Sequence, residues 1–367
     1  MSEFRSSLGS ASAARRAALA RSLLCFVPVM ACEVKPSTDR PTPAPSGNSS
    51  SSVMAPDPCS AVTQWDGRSS VVCHVAVIDE ATARVLSARP DRENIDLLFK
   101  RTDAVALSSS SQVPWARSVI VYPEQRQDTP VDLKNLAALT GLRRLQVRNA
   151  LVRRVEVAWD FHELRRLHAH AAVAVAVDLS GARACAELRE LSLGGAVVDL
   201  RPLASLVKLE SLSLPGDQSD LSALSGLSRV SHLTLRVKST TDLAPLAGLT
   251  GLHELVISGA PLPKLVQAVA PLPRLTRLFL QDDMNVRDVR PLRGLERLEL
   301  IELGGTRVTD VAPLQALPAL KTLRLWNTPV KNVRALLAFP ALEQVSLPEG
   351  TPAADLAELR QQRPRWF

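Results

Sequence analysis

Leucine recurs along most of this chain in the spacing L-x-x-L-x-x-L-x-x-L-x-L, and the whole pattern repeats with a period close to 22 residues. One copy runs Asp310, Val311, Pro313, Leu314, Leu317, Leu320, Leu323, Leu325, Thr328 and Val330, and the next begins at Asn332. Aligned on the residue that precedes the L-x-L piece, the copies fall at Leu142, Leu164, Leu188, Leu209, Val230, Leu252, Leu275, Leu298, Leu320 and Leu342, between 21 and 24 residues apart. A unit this short cannot bury its apolar side alone and must stack on its neighbours, so the period dictates a solenoid. Such a body offers long surfaces, and a binding surface is expected rather than a catalytic pocket.

Within each copy the L-x-L piece reads as a short strand, because alternate residues point to opposite faces and the two leucines must enter the core. Leu212-Ser213-Leu214, Leu233-Thr234-Leu235 and Leu323-Arg324-Leu325 are examples. Stacked strands build a parallel sheet along one wall of a gently curved body. The opposite wall starts at Asp199, Asp220, Asp242, Asp288 and Asp310, each followed three residues later by Pro202, Ala223, Pro245, Pro291 or Pro313. A carboxylate accepts from the free N–H groups of a first helical turn, and a proline there gives up a donor that has no partner anyway.

The unit resembles the bacterial leucine-rich repeats of the internalin-like type, D-L-x-P-L-x-x-L-x-x-L-x-x-L-x-L-x-x-T-x-V, over residues 132 to 352. The resemblance implies an α/β solenoid, a horseshoe or rod with a parallel concave β-sheet and short helical or 3-10 convex turns, and a protein-binding scaffold. Many relatives place Asn after the strand to bond neighbouring turns, whereas this chain has Ala150, Ala196, Asp217, Lys238, Ala260, Thr306 and Thr328. The alanine positions are expected to be served by water or backbone instead. The unit around Phe161 to Val177 departs most from the pattern, with a run of small and β-branched residues from Ala171 to Val177.

Residues 1–31 read as an export signal, with Arg5, Arg15, Arg16 and Arg21 ahead of the apolar stretch Leu23 to Ala31. That stretch ends at Val29-Met30-Ala31-Cys32, which resembles a bacterial lipobox, and the resemblance implies a lipid on Cys32; simple secretion to the exterior or periplasm is the alternative. Residues 32–58 are rich in Pro and Ser and form the expected tether. Residues 59–130 are assigned to an N-terminal cap, with a helix from Asp79 to Ala88 and a strand from Ser118 to Tyr122. Residues 131–352 carry the repeats and 353–367 a C-terminal cap, with a helix from Asp355 to Gln362 and a last strand at Arg365-Trp366-Phe367.

Of the five cysteines, Cys59 and Cys73 form an isolated pair suited to a disulfide in an oxidising envelope, and Cys185 is expected free and buried on a convex turn. The net charge of +7 falls to +4 once the four signal arginines and Glu3 are removed, far from the dense basic stripe of a nucleic-acid binder. No nucleic-acid partner, cofactor or metal is expected.

Strand residues that alternate with the buried leucines must point out of the sheet, where binding would occur. Toward the N-terminal half these are Arg144, Gln146, Arg148, Arg166, His168 and His170, which read as a basic, pH-sensitive patch. Toward the other end Arg277, Phe279, Gln281, Glu302, Arg324 and Trp326 read as a mixed aromatic and arginine patch with exposed rings. Aromatic and Arg side chains are enriched at binding hot spots. Ser192, Ser211, Ser213 and Thr234 between them look bland.

Catalytic readings find little support. His162-Glu163-Leu164-Arg165-Arg166 begins like H-E-x-x-H but has Arg where the second His belongs. His168 and His170 lack a third ligand nearby. Asp282-Asp283 look structural, and the stretch after Pro352 leaves no room for a catalytic domain. The expected function is therefore an envelope-anchored, non-enzymatic scaffold that binds a protein partner on its concave face, with membrane contact through a lipid anchor only. A spacer without a selective ligand and a glycan-binding module are the alternatives.

Overall fold

The computed structural model describes residues 58–63, 69–123, 127–148, 150–153, 155–169, 178–194 and 199–366. The signal, Cys32, nearly all of the tether, His170, the Ala171–Val177 run and Ala196 lie outside the described residues. One compact unit comprises Asp57–Ser60 and Val71–Phe367, and the fold below is that of this unit.

Among the described residues, fourteen strands form one sheet. In chain order they begin with β1 (Cys59–Thr63), β2 (Ser69–Val75), β3 (Ile95–Phe99), β4 (Ser118–Val121), β6 (Arg144–Val147), β8 (Arg166–Ala169) and β9 (Glu190–Leu193). They continue through β10 (Ser211–Gln218), β11 (His232–Val237), β12 (Glu254–Ser258), β13 (Arg277–Phe279), β14 (Leu300–Glu302), β15 (Thr322–Arg324) and β16 (Gln344–Ser346). Strands β5 (Gln127–Asp132) and β7 (Ala150–Arg153) pair separately. Every pairing from β2 to β16 in the large sheet is parallel, and the leucine of each L-x-L lies opposite that of the next unit: Leu212, Leu233, Leu255, Leu278, Ile301, Leu323 and Val345 run in one row. The row continues back through Leu191, Leu167, Leu145, Val119, Leu97 and Cys73, so the segment assigned to a cap supplies strands to the same sheet. Side chains of this row from Cys73 to Leu323 are almost fully buried, and the core is one column of stacked layers.

The other wall is built of 3-10 turns, including Arg201–Ser205, Ser222–Leu224, Ala244–Gly248, Arg290–Gly294 and Ala312–Ala316. A 22-residue period leaves about five residues for this wall, too few for a stable α-helix, and the tighter 3-10 geometry serves. The aspartates do what their spacing predicts: Oδ1 of Asp199, Asp220, Asp242, Asp288 and Asp310 accepts from the N–H two residues on, at 2.9 to 3.0 Å. One unit departs, using an α-helix at Leu262–Val269 instead.

At the position after the strand, Thr306 and Thr328 donate their hydroxyls back to Leu303 and Leu325 carbonyls at 2.6 Å. Buried Asp283 accepts from the Gly259 N–H at 2.7 Å and from Asn285 N–H at 3.0 Å, so the acidic pair is structural at least through this residue. The chain leaves the sheet through a column of left-handed residues, Gly259 (φ 85°), Asp282 (57°), Gly305 (69°) and Asn327 (51°). Only Gly, and more rarely Asn or Asp, enters this region without a large steric cost.

Helix α1 (Glu80–Ala88) is capped by Asp79, which accepts from Thr82 N–H at 2.8 Å. At the other end α2 (Ala353–Gln362) is followed by a 3-10 turn at Pro364–Trp366, where a last strand was expected. Proline at 364 has no N–H for a ladder, and the turn docks Trp366 so that its Nε1 donates to the Leu342 carbonyl at 3.2 Å. Cys59 and Cys73 are joined in a disulfide between β1 and β2. Cys185 is free and fully buried, and burial, reinforced by Asp160, pushes its thiol up to about 11.

Candidate functional site

The outward residues of the sheet form a regular array in which the register fixes who neighbours whom. In the N-terminal half, Arg144 Nη1 lies 2.9 Å from Oδ1 of Asp96, a carboxylate only 3% exposed that also accepts from the Ser118 hydroxyl. Arg166 Nε lies 2.9 Å from Glu190 Oε1, with His168 Nε2 3.5 Å from the second oxygen. Burial pushes the Glu190 carboxyl up, but the His168 hydrogen bond and the Arg166 charge outweigh it, and the group titrates below its ordinary value. Gln146 sits 3.3 Å from His168 Nδ1, and with its amide oxygen turned toward Arg148 it accepts from that guanidinium at 2.7 and 3.1 Å. The expected basic patch is thus corrected: Arg166 is neutralised by a carboxylate on the next strand and Arg144 by one two strands away, across β4. Glu190 was legible from the repeat alignment, whereas Asp96 lies outside the leucine-spaced units.

The C-terminal group is drawn together as expected on β13, β14 and β15, but its rings are not free. Arg277 pairs with Glu254 at 3.1 Å and lays its guanidinium 5.6 Å above the Phe279 ring. Phe279 is consequently 4% exposed, which overturns its reading as an exposed anchor. Trp326 is half-buried. A Cβ added to Gly304 would fall 2.0 to 2.5 Å from three atoms spread over the Trp326 ring junction, so the indole lies flat across the glycine backbone. Beneath it Glu302 is fully buried, one oxygen accepting from the Gly304 N–H at 2.9 Å and the other 3.5 Å from Arg324 Nη1. Burial holds its carboxyl above the usual range, against the opposing pull of Gly304, Arg324 and Trp326. Gln281, on the far side of Gly304, has its Oε1 sealed from solvent with no hydrogen-bond partner. Glu302 and Phe279 therefore support the surface from below, and Arg277, Arg324 and part of Trp326 reach solvent.

The same pairing recurs at Arg236 and Asp217, 3.5 Å apart on β11 and β10. Arg144, Arg166, Arg236, Arg277 and Arg324 each face a carboxylate on another strand of the sheet. Between the charged pairs Ser192, Ser213 and Thr234 line up in one row, with Ser192 Oγ buried and unpartnered. Besides the partner carboxylates and Arg236, the patterning also missed an outward aromatic residue. Tyr122, the chain's single tyrosine, follows β4 and is 42% exposed, next to half-buried Ile120 and, one strand over, Leu98. Period-two alternation through Ser118, Ile120 and Tyr122 is the signal that would have found it.

His162 is exposed, and Glu163 is engaged by Arg143 at 3.1 Å. Among the described residues no group of His, Cys, Asp and Glu could hold a metal ion, and no helix is long and apolar enough to cross a membrane.

No protein-family model matches the chain, and no curated protein matches it. Among solved structures, an internalin (InlF) from Listeria monocytogenes is similar over 81% of this chain and 85% of its own, at 21% identity and a TM-score of 0.56. Internalin C2 from the same organism aligns over 51% of this chain and 82% of its own at 27% identity, with a TM-score of 0.40. A leucine-rich repeat protein of Leptospira interrogans aligns over 80% and 92% at 14% identity, also with a TM-score of 0.40. The first of these shows the fold: an open parallel sheet backed by short turns, the solenoid of internalin-like bacterial leucine-rich repeat proteins.

Proposed function

We propose that this internalin-like solenoid is a non-enzymatic scaffold, held in the bacterial cell envelope by a lipid on Cys32, that binds a protein partner on its concave sheet face. The observation that carries the reading is the sheet itself. Its outward side chains stand in register over the thirteen strands from β2 to β16, and five of its arginines are already paired with carboxylates, so they are pre-organised and few of them must be ordered again on binding. Arg277 and Trp326 at one end and Tyr122 at the other are the anchors this geometry favours, being aromatic or guanidinium groups that still reach solvent. Phe279 and Glu302 contribute by holding Arg277 and Trp326 in place.

Two measurements test the reading. Cys32→Ser should move the protein from the membrane fraction to the soluble envelope fraction, and unchanged membrane retention would refute the anchor. In a cross-linking pull-down from native envelopes, the double variant Arg277→Ala/Trp326→Ala or the single variant Tyr122→Ala, each verified as folded by circular dichroism, should lose a prey that wild type recovers saturably. Identical recovery by all three proteins would favour a spacer without a selective ligand.

A further inference from the structure

A hollow of about 160 Å3 opens on the sheet over the last two strands, lined by Thr322, Arg324, Gln344, Val345, Ser346 and Trp366. Its origin is local. Arg324 reaches toward Glu302 on the preceding strand, and the short Ser346 that neighbours it on β16 leaves the space behind it unfilled. Trp366 walls the far side and is set in place beforehand: its Nε1 donates to the Leu342 carbonyl, and Arg363 lies 5.6 Å over its ring while donating to the Leu337 and Phe339 carbonyls at 3.3 Å.

The chemistry of the lining is specific. Thr322 and Ser346 hydroxyls and the Gln344 amide can each donate and accept, which suits a ligand whose own hydroxyls do both. Trp366 is half-buried against the core with Arg363 over its ring, and the part of its indole left uncovered lines the hollow. Arg324 carries five N–H donors, its side chain is 40% exposed, and its ion pair to Glu302 is long at 3.5 Å, so donors remain for a second carboxylate. An aliphatic side chain placed here would leave the hydroxyls and amide without partners. The volume is below the roughly 300 Å3 at which whole small-molecule sites begin, and matches one ring of a longer ligand.

We propose that this hollow is a subsite for one residue of an acidic saccharide, a sugar ring bearing a carboxylate that Arg324 reads while Trp366 stacks on the ring. The site goes beyond the protein-binding reading, uses none of the residues altered to test it, and stands if that reading fails.

The test titrates the full chain with trigalacturonic acid and with a glucuronate-containing tetrasaccharide, followed by tryptophan fluorescence and calorimetry, with maltotriose and triglutamate as neutral-sugar and acidic-peptide controls. At least one acidic saccharide should bind saturably, and both controls should bind at least about tenfold more weakly. Ser346→Tyr, which fills the hollow from an outward position, should abolish binding, and Ser346→Leu serves if the tyrosine variant melts early. Arg324→Ala should lose about tenfold for the acidic sugar and leave the weak maltotriose response unchanged. The proposal is overturned by no saturable binding of either acidic saccharide, by equal binding of either control, or by a filled variant that binds like wild type.

Discussion

The substitution Gly259→Ala tests the left-handed column by which the chain leaves the sheet. Gly259 has φ 85°, where an L residue carries about 1–3 kcal/mol of strain. The new Cβ would also stand 2.0 Å from the Val237 carbonyl oxygen, a backbone atom that cannot swing away. Relief requires the two units to move apart by more than 1 Å, roughly the shortfall from ordinary van der Waals contact. That movement carries Gly259 toward the following unit, whose buried Asp283 accepts its N–H at 2.7 Å, and a hydrogen bond distorted until it is lost costs about 1–3 kcal/mol. Together these place the destabilisation at about 3 kcal/mol or more. Gly226→Ala is the control, because its Cβ would meet nothing within 4 Å and its φ is not positive; it should be neutral or stabilise by about 0.4–1 kcal/mol through the unfolded chain. Urea titrations followed by circular dichroism would compare the two, with hydrogen exchange to show whether loss is confined to the neighbouring units, as nearest-neighbour coupling in a solenoid allows. Equal midpoints for the two variants would refute the steric argument.

Four further outcomes are expected. Asp310→Ala should cost about 1 kcal/mol, with Asp310→Asn largely preserving stability; equal losses would mean the hydrogen bond to Ala312 N–H contributes little. Burial raises the Glu302 pKa, so the folded state holds that proton more tightly, and its contribution is present in acid and lost as pH rises through the raised value. Glu302→Gln should therefore gain on wild type from about pH 4.5 upward and then level off, and a gap that shrinks with pH would contradict the assignment. Cys185, fully buried with its thiol pushed to about 11, should resist a thiol reagent at pH 8 until the chain is unfolded, which a timed labelling assay reads directly. Removing the disulfide with Cys73→Ser should lower stability by about 3 kcal/mol for a sequence separation of 14; a change below about 1 kcal/mol would show that the closed loop is already ordered without it.

The repeat made most of the sheet legible because a leucine in the wrong layer would face water, and the aspartates were legible because their geometry is local. Strands β2 to β4 were harder to place. Cys73, Leu97, Val119 and Leu145 continue the period at intervals of 24, 22 and 26, but the intervening α-helices and the change from leucine to cysteine and valine hide it. Alternation also gives the direction of a side chain without its cover. Phe279 and Glu302 point out of the sheet as expected and are buried nonetheless, because Arg277 and Trp326 are long enough to lie over them and Gly304 has no Cβ to prevent it. The charge balance of the face depended likewise on which strand lies beside which, and Asp96 reaches Arg144 across β4 from 48 residues away.

The ion pairs between successive strands bear on how such a chain can change. In the core one unit is nearly interchangeable with the next, since leucine meets leucine in layer after layer. At the surface it is not: Arg277 meets Glu254, Arg324 meets Glu302, Lys208 meets Glu187 and Lys321 meets Glu299, each across a single boundary. Each exposed pair adds little to stability, yet deleting or transposing one unit would set arginine beside the wrong neighbour and leave a buried carboxylate such as Glu302 without its cation. The charges act as addresses that fix the order of units, and even the junction where Ser213 meets Thr234 carries one, in the pair of Arg236 with Asp217.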